Sequence, residues 1–243
     1  MTKVTKRIAM WACPRTVSTA LLTSFSQHSQ VCSVDEPLYA YYLRRSAKLH
    51  PMRDEVLASQ AQTLDEVVSG VLRADCERPV QYVKHMAHHI FGDEDLSFVD
   101  DDDVVNAFLI RHPREMLPSL YSDLGQLDKV DIAYGQQLQI FERLLAQGKT
   151  PVVVDSPKLL ADPQTMMPRL CAALGIEFEQ QMMKWAPGNH SFYGVWAPAW
   201  YDKVMKTSGW RPYEPKVGEL PPELEGLFEF ALPAYERLLE YSL

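Results

Sequence analysis

The sequence contains no run approaching the roughly 20 apolar residues of a membrane-spanning helix, so no stretch of it reads as a membrane span. Lys3, Lys6 and Arg7 precede only a short apolar run, broken early by Pro14, which does not match a secretory signal peptide. Cysteine is sparse. Cys13, Cys32, Cys76 and Cys171 are widely separated with no Cys-x-x-Cys, which argues against a zinc cage or a small disulfide framework. These absences fit a soluble, intracellular protein in a reducing cytoplasm. Excess positive charge is missing as well: the formal net charge is −8, whereas proteins that follow a nucleic-acid backbone carry a basic footprint. Neither nucleic acid nor membrane is an expected partner, and a local basic pocket for one small anion is still compatible with that charge. The last absence is Gly-x-x-x-x-Gly-Lys-Ser/Thr, the nucleotide loop of ATP-hydrolysing proteins.

What is present is ordinary for a globular protein. The 243 residues, 47% hydrophobic and 23% charged, suffice for a substantial core. With no internal repeat and no low-complexity linker, residues 1–243 read as one domain. Its organising stretch is residues 7–25. An apolar run from Ile8 to Ala12 has the length of a buried strand, breaks at Cys13-Pro14, and leads through hydroxyl residues into an apolar, helix-like stretch. A strand, a turn and a helix start place successive backbone N–H groups and the positive end of the helix dipole at one point, a site for phosphate or sulfate. Arg15 adds a full charge, and Thr16, Ser18 and Thr19 add hydroxyl donors. A capped helix after a core strand accounts for the same residues without any ligand.

Further strand-like runs follow at Val31 to Val34, Pro79 to Lys84, Val104 to Ile110 and Pro151 to Val154. Between the first two of these, residues 38–76 read as a helical insertion, with Leu57, Leu64, Val67, Val68, Val71 and Leu72 at helical spacing. Amphipathic helices are expected over 132–146, 163–174 and 222–241. Pro113 suits the first turn of a helix, which would put Arg111 at a strand end and Ser119 about two turns along the next helix. Residues 185–215 are crowded with Trp, Tyr, Pro and Gly and show little periodicity. Either a lid over a ligand or a satellite core would use them. Alternating strands and helices predict an α/β fold with a mostly parallel central sheet. In such sheets ligands sit outside the carboxyl ends of the strands. Arg15, Glu36, Lys84, His85, Arg111 and Asp155 all fall just after strand-like runs.

On the loop Pro14-Arg15-Thr16-Val17-Ser18-Thr19 and the segment from Arg111 to Ser119, the sequence resembles the sulfotransferases that use 3′-phosphoadenosine-5′-phosphosulfate (PAPS), in particular a bacterial-type small-molecule branch. Their phosphosulfate loop usually reads Pro-Lys-Ser-Gly-Thr-Thr, and their 3′-phosphate motif is an Arg closing a strand with a Ser eight residues later. The run Asp155-Ser-Pro-Lys-Leu-Leu-Ala-Asp-Pro163 also looks like a family segment, so the resemblance spans roughly residues 7–175. It implies a P-loop, three-layer α/β/α fold, PAPS as co-substrate and 3′,5′-diphosphoadenosine (PAP) as product, with no metal. It further implies that Arg15, Thr16, Val17, Ser18, Thr19, Arg111 and Ser119 bind the nucleotide. The base would be Glu36, with His85 as its partner or alternative, and Arg15 would stabilise charge on the departing phosphate. Val17 stands where the family has Gly, so the loop is expected to avoid positive φ there.

The sulfuryl group would pass to a hydroxyl or amine of a small-molecule acceptor. Self-association is left open by the sequence. Three other readings compete. Val152 to Asp155 resembles the strand and Mg²⁺-holding Asp of an ATP-using phosphotransferase. His85, His88 and His89 offer ligands to a metal-dependent hydrolase, although adjacent histidines point apart. A non-catalytic, nucleotide-binding member of the fold would also carry the altered loop.

Overall fold

The protein, described here as a computed structural model, is built from residues 3–4, 6–215 and 218–243. It begins with strand β1 (Lys6–Ala12), whose seven residues are nearly all buried, then a turn and helix α1 (Ser18–Ser26). Strand β2 (Val31–Asp35) follows, then the helical insertion as α2 (Tyr39–Ser46), α3 (Arg53–Ser59), α4 (Leu64–Val67) and a π turn over Val68–Leu72. Next come β3 (Val80–Met86), β4 (Val104–Ile110), α5 (Pro113–Leu124), α6 (Tyr134–Ala146), β5 (Val152–Asp155), α7 (Ser156–Ala161) and α8 (Pro163–Ala173). Two short helices, α9 (Ala197–Trp200) and α10 (Asp202–Met205), interrupt the aromatic-rich segment, and α11 (Glu225–Leu239) closes the chain after a 3₁₀ turn at Pro222–Leu224.

The five strands pair in the order β2-β3-β1-β4-β5, all parallel. From the central β1 the chain passes to the edge strand β2, returns to β3 beside β1, and then crosses to β4 and β5 on the other side. The order therefore reverses at β1, which opens a crevice at the carboxyl ends of the strands, where open α/β sheets bind ligands. Side chains alternate between faces along each strand. Ala9 and Trp11 pack under α5, α6 and α11 with Phe108 and Phe141, whereas Ile8, Met10 and Ala12 pack under α1, α2 and α8 with Leu21, Tyr42 and Leu170. These two cores are the outer layers of the expected three-layer fold. Pro113 does open α5, and Gly125 closes it in the left-handed region at φ 73°, its N–H on the Tyr121 carbonyl. Within residues 185–215, Tyr193, Trp196 and Tyr201 are buried in the second core, and Trp200 and Trp210 border a cavity.

The turn after β1 departs from expectation. Val17 has φ 63° and ψ 20°, and Arg15 has φ 61°, so the loop takes the left-handed conformation without glycine. For a β-branched residue this costs about 1–2 kcal/mol. Surrounding hydrogen bonds hold the turn there. Thr16 Oγ1 donates to the Cys13 carbonyl at 2.7 Å, Ser156 Oγ to the Thr16 carbonyl at 2.8 Å, and Arg111 Nη1 to the Arg15 carbonyl at 3.1 Å. Glu36 is also left-handed, at φ 40°. Strain of this kind concentrates at functional sites, and three of the six non-glycine residues with positive φ among the described residues, Arg15, Val17 and Glu36, border one cavity.

Two outcomes follow from these local conformations. Val17→Gly is expected to leave the unfolding free energy level or raise it by up to about 1 kcal/mol, because relief of strain offsets the added freedom of the unfolded chain. Urea unfolding measures it, and a loss above about 1 kcal/mol would show that the valine side chain outweighs its backbone. At the end of β5, burial pushes the Asp155 carboxyl up to about 6 from its usual 3.8, against the opposing pull of Lys158 and the Tyr235 hydroxyl. The folded state therefore takes up a proton near pH 6, where the unfolded chain is still ionised. The stabilisation from this group is complete below pH 3.8 and disappears as pH rises through 6. Asp155→Asn should thus raise Tm relative to the wild type at pH 7.5, with the advantage shrinking toward pH 4.5; a constant difference across that range would rule out the shift.

Candidate functional site

A cavity of about 360 Å³ lies at the carboxyl ends of the strands, bordered by the loop after β1, Glu36, Lys84, Arg111, Ser119 and the segment from Trp200 to Pro212. Its volume is that of a small-molecule site. One end is basic. The left-handed turn presents Pro14, Arg15 and Val17, and the start of α1 presents Ser18 and Thr19. Arg15 Nε lies 3.2 Å from Ser119 Oγ and 3.4 Å from an Asp123 carboxylate oxygen. Arg111, 8% exposed, donates from Nε and Nη2 to Glu115 Oε2 at 3.2 and 3.0 Å while its carbonyl accepts from the Tyr134 hydroxyl. Glu115 also accepts from the Tyr213 hydroxyl. Arg111 and Ser119, expected together from their spacing, thus meet the loop through Arg15.

Thr16 is the exception within the loop. Its hydroxyl is spent inside the turn, and the residue is fully buried, so it offers an anion at most its backbone.

Lys84 forms the middle of the site. It is 1% exposed, and its Nζ lies within hydrogen-bond distance of Glu36 Oε1 (2.7 Å), Asp35 Oδ1 (3.1 Å), Thr19 Oγ1 (3.1 Å) and the Tyr201 hydroxyl (2.7 Å). Tyr201 in turn reaches both Asp35 oxygens, at 3.0 and 2.9 Å, and accepts from Trp196 Nε1 at 2.8 Å. Burial by itself would lower the Lys84 pKa, but the carboxylates of Asp35 and Glu36 lift it above the ordinary lysine value. Burial raises the Glu36 pKa, Lys84 pulls it back, and Asp35 adds to the rise. A carboxylate moved toward neutrality while still paired to an ammonium is suited to accept a proton. Glu36 Oε1 is committed to Lys84 and Tyr201, and Oε2 faces His89 Nε2 at 3.9 Å.

His85 is not part of this group. Strand alternation sends it to the opposite face of β3 from Lys84, where its ring stacks on Trp11 at 4.3 Å and approaches Phe98 at 5.7 Å. It does not border the cavity, and burial depresses its pKa to about 3. The expectation that His85 partners or replaces Glu36 is therefore corrected by the period of the strand. The same separation prevents His85 from joining His88 and His89 on a metal. His88 and His89 do border the cavity, together with His50 and Tyr39. Asp155 does not; its carboxylate accepts weakly from the Tyr235 hydroxyl at 3.4 Å.

Sequence reasoning singled out Lys84 without assigning it a role, and it missed Tyr201, His50 and Arg211 as site residues. One signal was available. Tyr82, Lys84 and Met86 share a face by period 2, and β2 ends in two acids beside them: Asp35 lies opposite Lys84 in the parallel pairing. Nothing local in the sequence marks Tyr201, which arrives from more than 160 residues away.

The profile of the sulfotransferase domain family matches residues 6–240. Two curated relatives from Arabidopsis thaliana are similar to the chain: branched-chain-amino-acid aminotransferase-like protein 1, 33% identical over 232 residues, and protein 2, 28% identical over 231 residues. Each match takes in 95% of this chain but 41% of the relative, so the chain spans about two fifths of their length. Among solved structures, the sulfotransferase domain from the Synechococcus PCC 7002 olefin synthase superposes with a TM-score of 0.55 at 17% identity, covering 94% of this chain and 95% of that one. A sulfotransferase from Alicyclobacillus acidocaldarius superposes with a TM-score of 0.53 at 12% identity, covering 99% of this chain and 96% of that one. These two share the fold. With the profile running through the loop, Lys84, Arg111 and the aromatic segment alike, the chain belongs to the sulfotransferase domain family.

Proposed function

We propose that the protein transfers a sulfuryl group from PAPS to a hydroxyl or amine of a small-molecule acceptor. The observation that carries this reading is one cavity with the turn after β1 and two arginines at one end and a buried carboxylate toward the other, joined by Lys84. The loop N–H groups, Ser18, Thr19 and Arg15 would hold the 5′-phosphosulfate, and Arg111 with Ser119 the 3′-phosphate. In-line transfer asks a protein for alignment and charge stabilisation. Arg15 would neutralise charge growing on the bridging oxygen and the departing phosphate. Glu36 Oε2 would take the acceptor's proton, and Lys84 would hold Glu36 in place through Oε1. No step requires a metal.

The phosphotransferase reading loses its support here, since Asp155 lies off the cavity. The aminotransferase-like name of the plant relatives does not carry over to this site. A lysine that forms a Schiff base acts as the neutral amine, whereas Lys84 is held charged by two carboxylates.

Arg111→Ala should weaken PAP binding about 10- to 100-fold, the loss of a charge-assisted contact worth about 1.5–3 kcal/mol. A thermal-shift titration with PAP and with ATP, each with and without Mg²⁺, reads it; Mg²⁺-dependent stabilisation by ATP alone would sink the sulfotransferase reading. Glu36→Gln should lower kcat about 10²- to 10⁴-fold while PAP affinity holds, and full turnover in that variant would remove Glu36 as the base.

A further inference from the structure

The cavity is electrically divided. Arg15 and Arg111 border it at the loop end, and Lys203 and Arg211 line it as well, the Lys203 carbonyl 3.5 Å from Arg211 Nη2. Beyond Glu36 the lining changes to His50, His88, His89, Trp200 and a second carboxylate, Asp131, 8% exposed. Resting on the sulfotransferase reading above, we infer that the acceptor is an amino alcohol or aminophenol: its hydroxyl receives the sulfuryl group beside Glu36, and its ammonium group is held between Asp131 and the imidazoles.

On this side carboxylates outnumber the cations paired to them. Asp35 and Glu36 share one cation, Lys84, at 3.1 and 2.7 Å. Asp128 and Asp131 likewise share Lys48, at 2.8 Å from each. The histidines add no positive charge. Burial pushes His88 down to about 3 and lowers His50, and burial reinforced by His88 takes His89 well below its usual value. A neutral imidazole has one lone-pair nitrogen, which accepts from an N–H donor. Among the described residues, neither ring nitrogen of His89 nor Nδ1 of His88 has a hydrogen-bond partner, although the two residues are 1% and 7% exposed and Glu36 Oε2 lies 3.9 Å from His89 Nε2. His89 cannot turn away to find one, because its ring is stacked between Tyr39 at 5.1 Å and Tyr42 at 4.9 Å.

Unpartnered buried acceptors, surplus negative charge and the aromatic faces of Tyr39 and Trp200 all suit a cation. A carboxylate-bearing acceptor would meet Asp131 and Glu36 at this end instead. An ammonium group held by carboxylates stays protonated and is no nucleophile, so the hydroxyl must be the reacting group. Its oxygen forms the new S–O bond as the S–O bond to PAPS breaks. The hydroxyl proton goes to Glu36, and PAP leaves.

The test uses the full chain saturated with PAP and two matched probe sets. Tyramine, tyrosol and 4-hydroxyphenylacetate differ only in an ammonium, neutral or carboxylate tail, as do 6-aminohexanol, 1,6-hexanediol and 6-hydroxyhexanoate. Calorimetric titration should show the amines binding at least tenfold tighter than the neutral probes and the carboxylates weakest. Asp131→Asn should erase the preference, and Lys48→Met, which frees Asp131, should enlarge it; a merely structural role would move both variants the same way. Equal affinities within each set, a preference for the neutral or anionic probe, or no binding by either amine overturns the inference. Failure of PAP itself to bind would instead overturn the sulfotransferase reading on which it rests.

Discussion

A single ammonium group shared by two carboxylates underlies both the fold and the site. Lys84 is buried at the end of β3, and desolvating its charge would be prohibitive without Asp35 and Glu36 from the end of β2. Replacing a buried ion pair with apolar residues can be neutral, but deleting one partner typically costs about 3–5 kcal/mol, because the other charge is left stranded. Here the stranded charges would be two carboxylates beneath Tyr201. The same nitrogen touches Thr19 at the start of α1 and Tyr201 from the aromatic segment, so four separate stretches of chain converge on it. The energy that assembles the carboxyl ends of the strands is therefore the energy that positions Glu36.

This arrangement explains which parts of the molecule were legible in the sequence. Buried parallel strands announce themselves as short apolar runs, and the run Val104 to Ile110 coincides with β4 at both ends. Arg111, Ser119 and the loop were legible because strand, turn and helix signals fix their positions locally. His85 was misread because the argument rested on nearness to a strand end, whereas a strand's period of two decides which neighbour reaches the site. Val17 was misread for a different reason. Local sterics forbid what Thr16, Ser156 and Arg111 impose from three directions. The aromatic segment lacked periodicity, and its roles are set by partners far away in sequence: Tyr201 on Asp35 and Tyr193 on Thr23.

The two ends of the cavity differ in how their charges are satisfied. At the loop end, Arg111 and Arg15 are tied to Glu115 and Asp123 on α5. Those contacts keep the guanidinium groups oriented, and they also make Glu115 a competitor for any anion that approaches Arg111. At the other end the imidazoles are fixed by stacking and leave hydrogen-bond capacity unused. One end is preorganised by internal ion pairs and the other by aromatic packing.

The alternation along β3 has a consequence for how this chain can vary. Between Val80 and Lys84 the spacing is set by pairing with β1 on one side and β2 on the other. Removing one residue there would rotate the ammonium onto the Trp11 face and bring the His85 imidazole opposite Asp35, and adding one would put Val83 there. An imidazole has two ring nitrogens at a fixed angle and cannot serve the partners that the flexible, three-donor lysine reaches. The length of that strand thus shapes the cavity as much as the identity of its residues, and insertions that leave the cavity intact belong in the connections between strands.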